Sequence, residues 1–121
     1  MNAQIDFAKM QGLVPAIVQD DDTDEVLMLG FMNAAAFKKT TTAGYVTFFS
    51  RTRNALWTKG ESSGNRLKVV SITTDCDRDT FLVRVHVEGA GLVCHLGTRS
   101  CFTEDIPFGS AAKAGGQGIL Q

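Results

Sequence analysis

The 121 residues, 44% of them hydrophobic and 21% charged, suffice for one domain with a single core, and a second independent domain is not expected. Twelve Lys plus Arg against thirteen Asp plus Glu give a net charge of -1, which argues against a broad nucleic-acid or anionic-membrane surface and leaves only a local basic site open. No apolar run approaches the roughly 20 residues that span a bilayer, and the first ten residues lack the basic start and apolar stretch of a secretion signal, so a cytoplasmic protein is expected.

Leu13–Gln19 and Val26–Met32 are β-rich apolar runs separated by Asp20, Asp21, Asp22, Asp24 and Glu25, which predicts a hairpin with a solvated acidic loop. Pro15 would place the first strand at an edge or a bulge. Asn33 is a helix cap, and the helix it opens through Ala34–Phe37 should end near Gly44. Tyr45–Ser50 returns to strand, Arg51–Asn54 is a polar turn, Leu56–Lys59 is a short strand and Gly60–Asn65 a loop. Strands follow at Leu67–Thr73 and Phe81–Val87; in the latter Phe81, Val83, Val85 and Val87 alternate with Leu82, Arg84 and His86, so one face is core. After a turn at Gly89–Gly91, Leu92–His95 is taken as extended. The fold class is therefore α+β and β-dominated, a compact mixed or antiparallel sheet domain with one short helix over residues 1–108, followed by a flexible Gly/Ala-rich tail at 109–121. A domain of this size needs no metal merely to stand, so any metal it binds is a functional suspect.

Three constellations carry chemistry. The first is Asp75, Asp77 and Asp79 around Cys76: in an extended segment, period two puts the carboxylates on one side and the thiol on the other. Three carboxylates repel unless a cation neutralises them, and oxygen ligands suit Mg²⁺; the plainer reading is a solvated acidic turn. The second is Cys76, Cys94 and Cys101, an odd number that cannot all pair within one chain. Three thiolates suit Zn²⁺ and leave its fourth position open, although each cysteine alone is more commonly a small buried hydrophobe. If Leu92–His95 is a strand, His95 faces away from Cys94, is a poor fourth ligand, and is free for proton transfer. The third is the stretch Ser50–Lys68, with Arg51, Arg53, Lys59, Arg66 and Lys68 against Glu61 alone. Gly60, Ser62, Ser63 and Gly64 allow close approach of N–H and hydroxyl groups to phosphate, and Trp57 offers a flat face for a base. The competing reading is a solvated basic hairpin with Trp57 in the core.

The runs Ser50–Gly64 (SRTRNALWTKGESSG), Asp75–Asp79 (DCDRD), Cys94–Gly97 (CHLG) and Ser100–Phe102 (SCF) resemble the phosphoribosyl-AMP cyclohydrolase family, with Gly12–Ala16 and Gly30–Asn33 extending the likeness over nearly the whole chain. Leu96 stands where the family usually has Thr, which removes a hydroxyl but no presumed ligand. The resemblance implies a single-function zinc-dependent hydrolase that opens the adenine ring of N1-(5-phosphoribosyl)-AMP at the N1–C6 bond. The product would be the phosphoribosyl-formimino-aminoimidazole carboxamide ribonucleotide, at the third step of histidine biosynthesis. It further implies an intertwined homodimer with Zn²⁺ shared between subunits at Cys76, Cys94 and Cys101, and Mg²⁺ at Asp75, Asp77 and Asp79. Substrate contacts are then expected from Arg51, Arg53, Trp57, Lys59, Gly60, Glu61, Ser62, Ser63 and Gly64, with His95 as proton carrier. The alternative is a non-enzymatic zinc or nucleotide-binding module, which would close its metal site with four ligands and turn nothing over. A zinc nucleobase deaminase would need His-x-Glu and Pro-Cys-x-x-Cys patterns, and neither is present.

Overall fold

The computed structural model describes residues 4–109, so the expected tail lies outside the described residues from 110 onward. Six strands and one helix follow in chain order: β1 Val14–Asp20, β2 Val26–Met32, α1 Ala34–Ala43, β3 Thr47–Ser50, β4 Ala55–Thr58, β5 Leu67–Thr74 and β6 Phe81–Val87. A single-turn 3-10 helix, Ala8–Met10, precedes β1 and was not expected from the sequence. The main sheet has the order β2-β1-β6-β5, with β1 and β6 parallel and the other neighbours antiparallel; β3 and β4 form a separate hairpin. This is the mixed, β-dominated architecture expected.

Period-two alternation builds the core. Val14, Ala16 and Val18 of β1 and Phe81, Val83 and Val85 of β6 are buried on one face, where parallel register sets Ala16 beside Phe81 and Val18 beside Val83. The helix covers this face: Phe37 stacks on Phe81 with ring centroids 4.7 Å apart, and Phe7 completes the aromatic group. The α1 boundaries follow from chemistry, because the Asn33 side chain accepts the Ala36 N–H at 2.8 Å and Gly44, at φ 81, ends the helix by donating to Thr40 O. Such a cap is worth about 1 kcal/mol. Gly30 lets the β3 hairpin lie against β2, since a Cβ there would sit 2.5 Å from the Phe48 ring.

Four local expectations require correction. β1 is an interior strand, not an edge; Pro15 is accommodated because the β6 ladder begins only at Ala16, so β1 has one strand neighbour at that residue. The β1–β2 loop is not merely solvated: Asp20 is 1% exposed and bonded to Arg99, while Asp21 and Asp24 both bind Arg84. Asp75–Asp79 is a β5–β6 turn, not an extended segment, with the Arg78 N–H donating to Asp75 O and Arg78 at φ 60. Leu92–His95 is not a strand; Gly97 N–H donates to Cys94 O at 2.9 Å, closing a tight turn with His95 and Leu96 at its centre.

Candidate active site

The β4 end and the loop after it form one wall of a cleft of about 590 Å³, and the Leu92–Gly97 segment forms the other. Arg53, Trp57, Lys59 and the run 60–63, all expected at a substrate site, line it, and so do Cys94 and His95. Arg51 and Gly64 do not line it; the Arg51 guanidinium instead lies 5.2 Å from the Phe31 ring centroid. Trp57 serves both readings at once. It packs on buried Phe48 at 5.4 Å between centroids while contributing to the cleft, and the Lys59 ammonium stands 5.5 Å from its ring.

Two glycines permit the walls to approach. A Cβ on Gly60, at φ 80, would meet Asn65 O at 2.2 Å, and one on Gly89, at φ 71, would meet the Asn65 side chain at 2.5 Å. Asn65 also accepts the Ala90 N–H at 2.7 Å, pinning the basic loop to the turn that leads into Cys94. Behind it, Tyr45 OH donates to Glu88 at 2.9 Å, and Arg66 lies both over the Tyr45 ring and beside Glu88. Asn65, Leu92 and Gly97 are cleft residues that sequence reasoning passed over. Only Asn65, at the end of a Gly/Ser loop, carried a usable signal.

The turn corrects the geometry expected of His95: it and Cys94 face the same cleft, whereas a strand would have sent them to opposite sides. The thiols of Cys94 and Cys101 lie close enough to influence each other's ionisation. The Leu96 N–H and the Thr98 hydroxyl hold the Cys94 thiol below its usual range, with Lys59 adding in the same direction, whereas burial and then the Cys94 sulfur push Cys101 up. At any pH below both values Cys94 therefore carries the larger thiolate fraction. In zinc-free protein iodoacetamide should alkylate Cys94 faster than Cys101 near pH 7.5 although Cys101 is the more exposed, a rate ratio readable by peptide mass spectrometry; equal rates would contradict this ordering.

Cys76 does not join the pair. It sits exposed in the β5–β6 turn at the Phe81 end of β6, while Cys94 follows from the Val87 end, and among the described residues no three thiolates, with or without His95, come within 4.8 Å of one another. The donor chemistry of Cys94 and Cys101 fits a soft cation, but one copy of the chain supplies two ligands of the expected three.

Asp75, Asp77 and Asp79 are brought together despite the corrected backbone, with one oxygen of each within 4.8 Å of the others. An all-oxygen set of this kind fits a hard cation. The turn is tied to the chain's start: Lys9 Nζ lies 3.2 Å from Asp79 Oδ2 and donates to Asp77 O, and Asp6 N–H donates to Arg78 O. The Asp79 N–H donates to Asp75 Oδ1, which holds that carboxyl below its usual range. Stabilisation from this bond is present above the ordinary carboxylate value and is lost as pH falls through the depressed one.

A family model described as phosphoribosyl-AMP cyclohydrolase matches residues 28–103. A protein of Solibacter usitatus named phosphoribosyl-AMP cyclohydrolase is 53% identical over 105 residues, covering 87% of this chain and 82% of its own. The histidine biosynthesis bifunctional protein HisIE of Bacteroides thetaiotaomicron is 61% identical over 101 residues, 84% of this chain and 49% of its own, and that of Staphylococcus aureus (strain COL) is 52% identical over 107 residues, 88% and 49%. The chain thus spans about half the length of these bifunctional relatives.

Proposed function

The chain belongs to the phosphoribosyl-AMP cyclohydrolase family, and from that premise we propose that it opens the adenine ring of N1-(5-phosphoribosyl)-AMP by hydrolysis of the N1–C6 bond, within histidine biosynthesis. The observation that carries the reading is the cleft itself, where a basic Gly/Ser loop and Trp57 face Cys94 and His95.

The chemistry asks for four things. Substitution at N1 leaves ring C6 electron-poor, so water adds there, N1 leaves with a proton, and the exocyclic amino group remains as a carboxamide. Arg53, Lys59 and the loop N–H and hydroxyl groups hold phosphate oxygens, and Trp57 gives the base an apolar wall. His95, exposed in its turn and facing the cleft, carries the proton to N1, with Glu61 as the other cleft group able to hold one. Cys94 and Cys101 of one copy and Cys76 of a second would hold Zn²⁺, which when bound would lower the pKa of water from about 16 to about 7.

Two observations support a two-copy assembly. The third thiolate is at the wrong end of the sheet in a single chain, and immediately after Cys101 the side chains of Phe102, Ile106 and Phe108 are 63%, 84% and 79% exposed. Apolar surface of that kind calls for a cover, which a second copy provides. Asp75, Asp77 and Asp79 would hold Mg²⁺, which would neutralise the three carboxylates of the turn that carries Cys76.

An absorbance assay on the N1-phosphoribosylated nucleotide tests the reading. Native protein should turn it over, and exhaustive chelation should abolish turnover while circular dichroism stays near native, since the domain buries a core without metal. Full activity in protein shown by metal analysis to be zinc-free would remove the zinc assignment; no turnover in zinc-replete protein would favour a binding module.

A further inference from the structure

On the face of β1 where alternation places Val14, Ala16 and Val18 in the core, the next inward position is Asp20, 1% exposed. A carboxylate at an apolar position is costly to bury unless it is paired and fully hydrogen-bonded. Asp20 has both kinds of partner: its Oδ2 binds Arg99 Nη2, and its Oδ1 accepts the Asp22 N–H at 2.9 Å. Arg99 lies between Cys94 and Cys101. Its guanidinium also takes Glu25 Oε1 at 3.1 Å and Gly91 O at 3.2 Å, so one planar fork joins the end of β1, the β1–β2 loop and the turn entering the cysteine segment.

The other bonds of that segment flank Arg99 on both sides. Val93 N–H donates to Arg99 O at 3.3 Å and Cys94 N–H to Thr98 O at 3.0 Å, which sets Arg99 opposite the residue before Cys94. Two residues beyond Arg99, Cys101 N–H donates to Leu27 O at 2.7 Å, and Ser100 Oγ donates to Val26 O at 2.8 Å. Fixing Arg99 therefore fixes both limbs of the loop and with them the separation of the two thiols. We propose that Asp20, acting through Arg99, is a positioning residue for the Cys94–Cys101 thiol pair. The inference rests on the zinc reading above and adds to it the residues that set the spacing of the ligands.

The test uses full-length Asp20→Asn, Arg99→Gln and Arg99→Lys proteins, with Glu25→Gln, on the solvent side of the fork, as comparison. Zinc affinity is measured by chelator competition, ligand geometry by the thiolate and d–d bands of the Co²⁺-loaded protein, and fold by melting of the zinc-free form. Asp20→Asn and Arg99→Gln should weaken zinc roughly 10–100-fold and alter the Co²⁺ bands, the range usual for groups that orient metal ligands. Arg99→Lys, which keeps the charge but not the fork, should fall between native and Arg99→Gln, and Glu25→Gln should stay within about threefold of native. Variants that melt earlier yet bind zinc with native affinity and native bands would reduce the pair to a fold-stabilising contact and overturn the proposal. A native protein that binds no zinc would overturn the zinc reading, and this inference with it.

Discussion

Replacing His95 by alanine is expected to leave zinc near native stoichiometry and to lower kcat by roughly 10²–10⁴-fold, the usual contribution of a positioned acid or base. Cys94→Ser, one residue away, should lose both metal and rate. The contrast has to be read from metal content because the two side chains line the same cleft, so loss of activity alone does not tell a ligand from a proton carrier. His95 sits at the centre of the Cys94–Gly97 turn and is exposed, and it does not come together with the Cys94 and Cys101 thiols as a third ligand. Zinc lost equally from both variants would make His95 a ligand or its support and pass the proton to Glu61.

β6, whose alternation is set by one buried face, was legible residue by residue, and both β2, an apolar run, and β6 begin and end where the sequence placed them. The helix was legible because Asn33 and Gly44 are local chemical stops that no distant contact needs to supply. What the sequence did not convey was any feature decided by long-range partners. Asp20 was grouped with its acidic neighbours because its role depends on Arg99, 79 residues away. Pro15 suggested an edge because the start of the β6 ladder, and hence a locally one-sided strand, is a matter of register between distant segments. The side-chain spacing of Asp75–Asp79 and Leu92–His95 reads as extended, whereas turn hydrogen bonds and the positive φ of Arg78 and Gly97 decide their path. The grouping of the three aspartates survived that error because a tight turn also converges alternate side chains; the division of Cys94 from His95 did not survive it. Motif content therefore located the cleft well, and backbone geometry had to assign the directions within it.

Mixing Cys76→Ser chains with Cys94→Ser chains should recover activity that neither homodimer has. In the proposed assembly each zinc takes Cys94 and Cys101 from one copy and Cys76 from the other. A mixed dimer then contains one site built from the Cys76→Ser chain's intact Cys94 and Cys101 with the Cys94→Ser chain's intact Cys76, and a second site lacking both. One functional site in two, in half of randomly exchanged dimers, gives about a quarter of native activity if the sites work independently; each parent should stay at the level of a zinc-depleted enzyme. The physical ground is the placement already described: Cys76 turns out at the Phe81 end of β6, Cys94 and Cys101 pair beyond its Val87 end, and the three do not meet within a chain. Unfolding and refolding the two variants together, followed by separation of differently tagged dimers, ensures that mixed dimers are what is assayed. A control mixture of Cys94→Ser with Cys101→Ser should recover nothing, because both damaged ligands belong to the same half of each site. Recovery in that control would divide Cys94 and Cys101 between the two chains, whereas silence in verified Cys76→Ser/Cys94→Ser dimers that remain folded would place all three thiolates in one chain and require the β5–β6 turn to swing across the sheet to reach them.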